Sequence, residues 1–403
     1  MKGKQIVIGV SGGIAAYKAA ELVRLLVREE ALVQVAMTAN ATRFVSSLTF
    51  EALSGSRVIS DMYEGGAGTM DHIAWGQDSD LIIIAPATAN IIAKMARGIA
   101  DDFLSTTTLA ATAKILVCPA MNTRMYENPA TQENLTVLRK RGITVMEPGA
   151  GQLACRDEGP GRLPEPAEIV EEARWVLSPH DLQGLQVLVT AGATHEPLDP
   201  VRYLTNRSSG KMGYAAAKAA RIRGASVKLV SGPTTLSVPR GVAVDQVTSA
   251  EEMRDAVLGH FPGSDIVVMA AAVSDYRPRA TEKDKIKKGP ETLTLELSRN
   301  PDILAELGRL KQDKKCVLIG FAAETEHLLS NAEKKLREKN LDMIVANDVS
   351  REDAGFAVDT NEVKILFRQG KRENPPLMKK EAVADLVLDR AKSLWEAYPG
   401  HGK

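Results

Sequence analysis

Short, nearly continuous apolar runs separated by stretches of helical periodicity are the strongest constraint on this chain. The segments 5–11 (QIVIGVS), 32–38 (LVQVAMT), 81–87 (LIIIAPA) and 115–120 (ILVCPA) have the length of a strand buried on both faces, and amphipathic or Ala-rich stretches follow them. The pattern returns at 186–191, 226–231 (SVKLVS), 265–273 (DIVVMAAAV), 316–323 (CVLIGFAA) and 341–346. A strand without polar alternation must be covered on both sides, which predicts mainly parallel sheets flanked by helices. Two segments, 292–298 (TLTLELS) and 362–368 (EVKILFR), alternate with period two and predict half-exposed antiparallel strands. A helix over 379–397 closes the chain.

The expected architecture is therefore α/β, two doubly wound, Rossmann-like domains. The helix-like stretch 164–184 ends in Ser-Pro and a polar turn before a fresh strand, which puts the boundary between domains 1–184 and 185–403. The 403 residues carry 51 basic and 51 acidic side chains, a balance that argues against a nucleic-acid coat protein or a polybasic membrane binder. That zero is a sum of two opposite parts, with 17 basic and 21 acidic residues up to position 184 and 34 basic and 30 acidic after it. No apolar run approaches the roughly 18 residues of a membrane span. The N-terminus, MKGKQIVIGVSGG, runs directly into a strand without a signal-peptide core, so a cytoplasmic protein is expected. Three scattered cysteines, Cys118, Cys155 and Cys316, make neither a disulfide framework nor a zinc site.

In the first half, residues 9–18 (GVSGGIAAYK) set a Ser-Gly-Gly turn between a strand and a helix. Such a turn offers unpaired N–H groups to a phosphate. It is not GxGxxG, and the second strand ends in Met37-Thr38 with no acidic residue to read a dinucleotide ribose. A mononucleotide phosphate fits; so does a tight turn with no ligand. APATAN at 85–90 brings further hydroxyl and amide groups to a strand's C-terminal end. His72 follows a flexible EGGAGTM segment, and lone histidines are more often structural. PAMNTRMY at 119–126 leaves a strand with Asn122 available for a carboxylate or amide. Cys155 lies in a Gly-rich stretch with almost no core-forming residues, which favours a chemical role over packing; Cys118, inside an apolar strand, reads as core.

Together, SGGIAAYK, His72, APATAN, PAMNTRMY and the Cys155 segment resemble the flavin-dependent cysteine decarboxylases, specifically phosphopantothenoylcysteine decarboxylase, over most of residues 5–165. The resemblance implies a flavodoxin-like domain with FMN at Ser11, Gly12, Gly13, Thr38, Thr88 and Asn90. It implies His72 as acid/base, Asn122 as carboxylate binder with Met125 at the substrate, and Cys155 as the proton donor of the final reduction. The chemistry is coherent: carbon dioxide leaves an N-acylated cysteine only with an electron sink, which oxidation of the thiol to a thioaldehyde provides.

In the second half, TAGATHEPLDPVRYLTNRSSGKMG at 190–213 ends a strand, makes a polar excursion and caps a helix through Ser208-Ser209-Gly210, with Lys211 nearby. GxxxxGK[ST] is absent. Asp275 follows a buried strand and precedes a basic loop with Lys285, Lys287 and Lys288. Basic loops are usually just solvated, but a lysine here suits a transferring triphosphate. NPDI at 300–303 opens a helix, GFAAET at 320–325 ends a strand, and Lys335 and Lys339 stand at i, i+4, where like charges repel slightly and an anion would be welcome.

PLDPVRYLTNRSSGKMG, AAAVSDY, KIKK, NPDI, GFAAET and NLDMIVAND resemble phosphopantothenate-cysteine ligase of the bacterial, CTP-using type, from about 186 to 395. The order of the halves is that of the bifunctional enzymes of coenzyme A synthesis. The resemblance implies activation of a carboxylate as an acyl-cytidylate with release of pyrophosphate, then attack by the amine of cysteine. It implies Met269, Ala270, Ala271, Asp275, Asn300, Pro301, Asp302, Ile303, Phe321, Lys335 and Lys339 around CTP. Lys285 is assigned to the triphosphate, Asn206 to the acyl-cytidylate and Arg202 to a phosphate or substrate. Mg2+ would screen the polyphosphate, with no protein ligands assigned. It further implies a homo-oligomer with flavin sites between subunits, His72 serving a neighbour, and a dimeric ligase half. A flavoprotein oxidoreductase with an NAD(P)H-binding second domain is the alternative, disfavoured by the missing dinucleotide fingerprints; a non-catalytic flavin-binding regulator would lack the His72, Asn122 and Cys155 set.

Overall fold

The computed structural model describes residues 1–63, 70–152, 158–287, 292–311, 314–324, 328–348 and 359–398. The chain forms two compact units, Met1–Pro179 and His180–Lys403. Among the described residues no helix is long and apolar enough to cross a membrane.

The first unit is built on a six-stranded parallel sheet. Its spatial order is Val58–Ile59, Leu32–Met37, Gln5–Val10, Leu81–Ala87, Lys114–Pro119 and Thr144–Val145. Alternate residues of the first strand explain the two helical layers. Ile6, Ile8 and Val10 pack with Leu22, Val23 and Leu26 of the helix Ala16–Arg28 and with Ile169 and Ala173 of Pro166–Leu177. Val7 faces Ile91, Ile92, Phe103 and Leu104 on the other side. Gly9 is required there: a Cβ would sit 2.5 Å from the Leu104 side chain.

The second unit has an eight-stranded sheet. Its order is Ala243–Gln246, Ser226–Ser231, Gln186–Ala191, Ile266–Met269, Val317–Glu324, Met343–Asp348, Val363–Phe367 and Arg372–Glu373. The first six strands are parallel, and Val363–Phe367 and Arg372–Glu373 add antiparallel at one edge. Val187 and Val189 pack with the Ala-rich helix Lys211–Ile222 and with Val383, Val387, Leu388 and Trp395 of Lys380–Glu396. Leu188, Val230 and Val267 point into an opposite layer containing Met253, Val257, Leu307 and Leu336. In each unit the strand order reverses beside the first strand, so a crevice opens at the C-terminal ends of that strand and of its later neighbour.

Several expectations need correction. Of 292–298, only Leu297–Arg299 is strand, paired antiparallel with Tyr276–Pro278, and Leu293 and Leu295 remain exposed. Alternation makes a strand only where a neighbouring edge receives it, and here that edge is three residues long. The segment 265–273 is strand only over Ile266–Met269, and beyond it pairing is reduced to a single parallel bridge between Ala272 and Ala193. The edge strands Val58–Ile59, Thr144–Val145 and Ala243–Gln246 are too short or too polar to stand out as apolar runs. Cys118 is buried with its Sγ 3.6 Å from Met146 Sδ. Burial pushes the Cys316 thiol up to about 12, so it is inert packing.

One buried ion pair ties the second core together. Asp342 accepts from the Lys311 ammonium, from the Leu318 amide at 2.7 Å and from the Tyr398 hydroxyl at 3.3 Å. Lys311 and Asp342 are 5% and 8% exposed. Removing one member leaves an uncompensated buried charge. Asp342→Ala is expected to destabilise this unit by about 3–5 kcal/mol, read as a lower urea midpoint for the second unit.

Candidate active sites

In the first unit the site is assembled where the strands Gln5–Val10, Leu32–Met37 and Leu81–Ala87 end. Ser11 is buried; its hydroxyl donates to Pro86 O at 2.7 Å and accepts from the Thr88 amide at 3.0 Å. Two turns are thereby locked to each other. Thr88 is the N-cap of the helix Ala89–Arg97, whose second residue is the exposed Asn90. The Thr38 amide donates to Val10 O at 3.0 Å, which holds the third turn alongside. Gly12 permits this closeness, since a Cβ there would lie 2.4 Å from Asn40 Cβ; at Gly13 the nearest atom is Thr88 Cγ2 at 3.5 Å, which leaves its approach open. Ser11, Gly12, Gly13, Thr38, Thr88 and Asn90 thus sit on neighbouring strand ends, and the turn leads into the N-terminus of Ala16–Arg28. A glycine cradle with helix N–H groups suits the phosphate of a mononucleotide such as FMN.

Asn122 caps the short helix Thr123–Glu127, its side chain accepting from the Arg124 amide at 2.8 Å. Met125 is half exposed on that helix. His72 stands on a separate helix, Asp71–Asp78, which Trp75 fastens by an edge-on contact with Phe103 at 5.3 Å between ring centroids. Cys155 lies outside the described residues. The strands on either side of it, Gly149–Gln152 and Glu158–Arg162, form an antiparallel hairpin docked on the Asn122 segment. The Met121 amide donates to Gly161 O at 2.9 Å. A Cβ on Gly161 would lie 2.2 Å from Met121 O, and one on Gly159 would lie 2.8 Å from the Thr123 side chain. Both glycines have positive φ. This Gly-rich stretch does more than lack a core. The alternation Gly159, Gly161 was the signal that a strand passes close over another backbone.

In the second unit a cavity of about 490 Å³ opens beside the ends of Gln186–Ala191 and Ile266–Met269, within the range of small-ligand sites. It is lined by Asn206, Met269, Ala270, Ala271, Asp275, Asn300, Pro301, Asp302, Ile303, Phe321, Lys335 and Lys339, which come from five separate stretches of chain. Buried threonines shape its wall: Thr190 Oγ1 accepts from the Ala271 amide at 3.1 Å and Thr194 Oγ1 from the Ser274 amide at 3.0 Å. Asn206 Nδ2 donates to Ala272 O and Val273 O at 3.3 and 3.2 Å. Asn300 Nδ2 donates to Ser274 O at 2.8 Å, and its Oδ1 accepts from Arg277 at 2.9 Å.

Asp302 caps the helix Ile303–Leu310 by accepting from the Ala305 amide, and it pairs with Lys339 at 2.8 Å. Burial pushes the Asp302 carboxyl up, but Lys339 and the Ala305 amide outweigh it and hold it below the ordinary carboxylate range. The helix Leu328–Glu338 ends just before Lys339, whose amide still donates to Lys335 O at 3.0 Å, and both lysines line the cavity. The lining also includes Arg207, Lys211 and Lys380, so five basic side chains face two acidic ones, Asp275 and Asp302. That excess favours a polyanion. Among the described residues no cluster of three or more His, Cys, Asp or Glu is arranged to hold a metal.

Two expected residues stand apart. Lys285 lines a second concavity with Leu198, Pro278, Leu293 and Glu296. Arg202 donates to Ile286 O at 2.6 Å and pairs with Asp199, so its guanidinium holds the Lys285 loop. The helix Lys211–Ile222 is capped by Gly210 at φ 76° with no side-chain cap, where Ser208 and Ser209 were expected to contribute. Lys380 and Asn361 escaped the sequence reading. The signal for Lys380 was a lysine pair opening a helix, where the dipole disfavours cations.

Residues 1–177 match the model of the Flavoprotein family, and residues 182–394 match that of the DNA/pantothenate metabolism flavoprotein C-terminal domain. The coenzyme A biosynthesis bifunctional protein CoaBC of Bacillus subtilis (strain 168) is 48% identical over 98% of this chain and 98% of its own length. The protein of the same name from Escherichia coli (strain K12) is 46% identical, with 96% and 97% covered. A crystal structure of the C-terminal domain of a CoaBC protein is 44% identical over 54% of this chain and 98% of that chain, with a TM-score of 0.47.

Gly12→Val is expected to force the 11–13 turn off Asn40 and give a folded but colourless protein. Visible flavin absorbance measured beside far-ultraviolet circular dichroism checks this; retained colour would contradict the cradle.

Proposed function

The chain belongs to the family of bifunctional coenzyme A biosynthesis proteins, and on that premise we propose that residues 1–184 hold the FMN-dependent decarboxylase and 185–403 the CTP-dependent ligase. The enzyme has phosphopantothenoylcysteine decarboxylase and phosphopantothenate-cysteine ligase activities. The observation that carries the ligase assignment is the convergence of Asn206, the 269–275 segment, the 300–303 segment, Phe321, Lys335 and Lys339 on one basic cavity.

In the ligase, the small side chains of Ala270 and Ala271 leave room for the nucleotide against Phe321. Lys335 and Lys339 face its phosphates, with Mg2+ as the polyphosphate's escort. Asn206, pinned by two carbonyls, orients the acyl-cytidylate, and Asp275 and the 300–303 segment frame the nucleotide. Lys285 lies off its own chain's cavity, so we assign its contact with the triphosphate to a loop reaching in from a second copy. A carboxylate does not form an amide in water without a leaving group, and CMP is that group. Arg202 acts by holding the Lys285 loop.

In the decarboxylase, Ser11, Gly12, Gly13, Thr38, Thr88 and Asn90 hold FMN. Bound flavin supplies the reversible oxidation of the substrate thiol that makes carbon dioxide loss feasible. Asn122 binds the substrate carboxylate beside Met125, His72 moves the proton at the oxidation stage, and Cys155 returns one to carbon in the reduction. The same reading makes the enzyme a cytoplasmic homo-oligomer whose flavin sites lie between subunits, with no nucleic-acid or membrane partner.

Cys155→Ser is expected to release carbon dioxide from phosphopantothenoylcysteine yet stall at the oxidised enethiol; normal product from this variant would remove the donor role. Lys285→Gln is expected to suppress pyrophosphate release from CTP and phosphopantothenate. Intact cytidylate formation with loss of cysteine transfer alone would reassign Lys285.

A further inference from the structure

A two-stranded ribbon, Thr360–Asn361 paired with Met378–Lys379, brings three side chains to the N-terminus of the helix Lys211–Ile222. Asp359 pairs with Lys211 at 2.7 Å, and its backbone carbonyl accepts from the Lys380 amide at 2.9 Å. Lys380 is the first residue of the helix Lys380–Glu396 and only 7% exposed, and it lines the ligase cavity together with Lys211. Two helix N-termini and two ammonium groups therefore meet at one part of the cavity, although like charges and helix dipoles oppose that arrangement. Burial first, then the neighbouring Lys211, holds the Lys380 ammonium below its ordinary range, with Asp359 offsetting only in part.

A second observation points to a ligand. Asn361 is 3% exposed and lines the same cavity, and its buried Oδ1 has no hydrogen-bond partner among the described residues. The other amide atom meets the Met212 thioether at 3.8 Å. Thioether sulfur is a weak acceptor, and a half-turn of the amide exchanges its two ends without steric cost. A buried amide kept at a cavity wall with its hydrogen bonding unspent is what an arriving polar group would satisfy.

We propose that Lys380, Lys211 and Asn361 form a phosphoryl-binding subsite of the ligase cavity, additional to the Lys335 and Lys339 side. The proposal rests on the ligase reading of that cavity. A phosphoryl group matches because it is compact, carries more than one negative charge and accepts from ammonium, amide and helix N–H donors alike. It has two sources in the ligase reaction, the nucleotide polyphosphate and the phosphate of phosphopantothenate.

The test uses the full-length enzyme and titration calorimetry with three ligands separately: CTP with Mg2+, phosphopantothenate, and inorganic pyrophosphate with Mg2+. Lys380→Met is expected to weaken at least one by about 10- to 100-fold, the value of one charge-assisted hydrogen bond. Lys380→Arg should recover most of that loss, and Asn361→Leu should weaken the same ligand. The unliganded melting temperature of Lys380→Met should hold or rise, since a buried charge is removed, whereas a merely structural lysine would lower it. Loss confined to CTP and pyrophosphate assigns the subsite to the nucleotide; loss confined to phosphopantothenate assigns it to that phosphate. Affinities within twofold of wild type, or a fall in melting temperature with affinity retained, would overturn the subsite, as would a wild-type enzyme that binds none of the three. Wild-type binding of pyrophosphate but not CTP, lost in Lys380→Met, would keep the subsite and sink the ligase reading instead.

Discussion

Covering a parallel sheet with helices on both faces leaves its strand ends as the place where backbone polar groups meet solvent or a ligand. Both units obey this. Val7 and Ile8 are buried on opposite faces of the first sheet, and Leu188 and Val189 on opposite faces of the second. Everything chemical is therefore displaced to the turns that leave the strands, and the reversal of strand order decides which turns share a crevice. Ser11 with Thr88, and Thr190 with Ala271, are the local locks that keep those neighbouring turns in register.

The two units solve the anion problem differently. On the proposed reading the 11–13 turn takes one flavin phosphate on backbone N–H groups, which Gly12 lets crowd against Asn40. The cavity of the second unit offers side chains instead, five basic against two acidic, which suits a larger charge. That difference gives the opposite charge of the two halves a structural meaning. It also leaves costs in the unliganded fold, most plainly at Lys380, a buried ammonium at a helix N-terminus.

How much of this was legible in the sequence depended on the range of the interaction. Strands such as Leu81–Ala87 announced themselves because burial on both faces excludes polar alternation. TLTLELS misled, because alternation records a preference for a sheet surface and says nothing about whether an edge is there to receive it. The residues expected around a nucleotide, at 269–275, 300–303 and 321, were readable as family motifs, and they converge on one cavity. Asn361 left no signal, and the lysine pair at 379–380 marked an odd helix start but not its cavity, since a ribbon formed by residues 17 or more positions apart brings both there. Lys285 was readable as a lysine on a loop, but not that the loop would lie at a different concavity from Lys335.

The hairpin formed by Gly149–Gln152 and Glu158–Arg162 has a consequence for how such a protein can change. Its attachment depends on two glycines, Gly159 and Gly161, pressed against Met121 and Thr123, and on one amide-to-carbonyl bond. Any side chain at Gly161 would meet the Met121 carbonyl and any at Gly159 the Thr123 side chain, so the mount is frozen at two positions that carry no chemistry of their own.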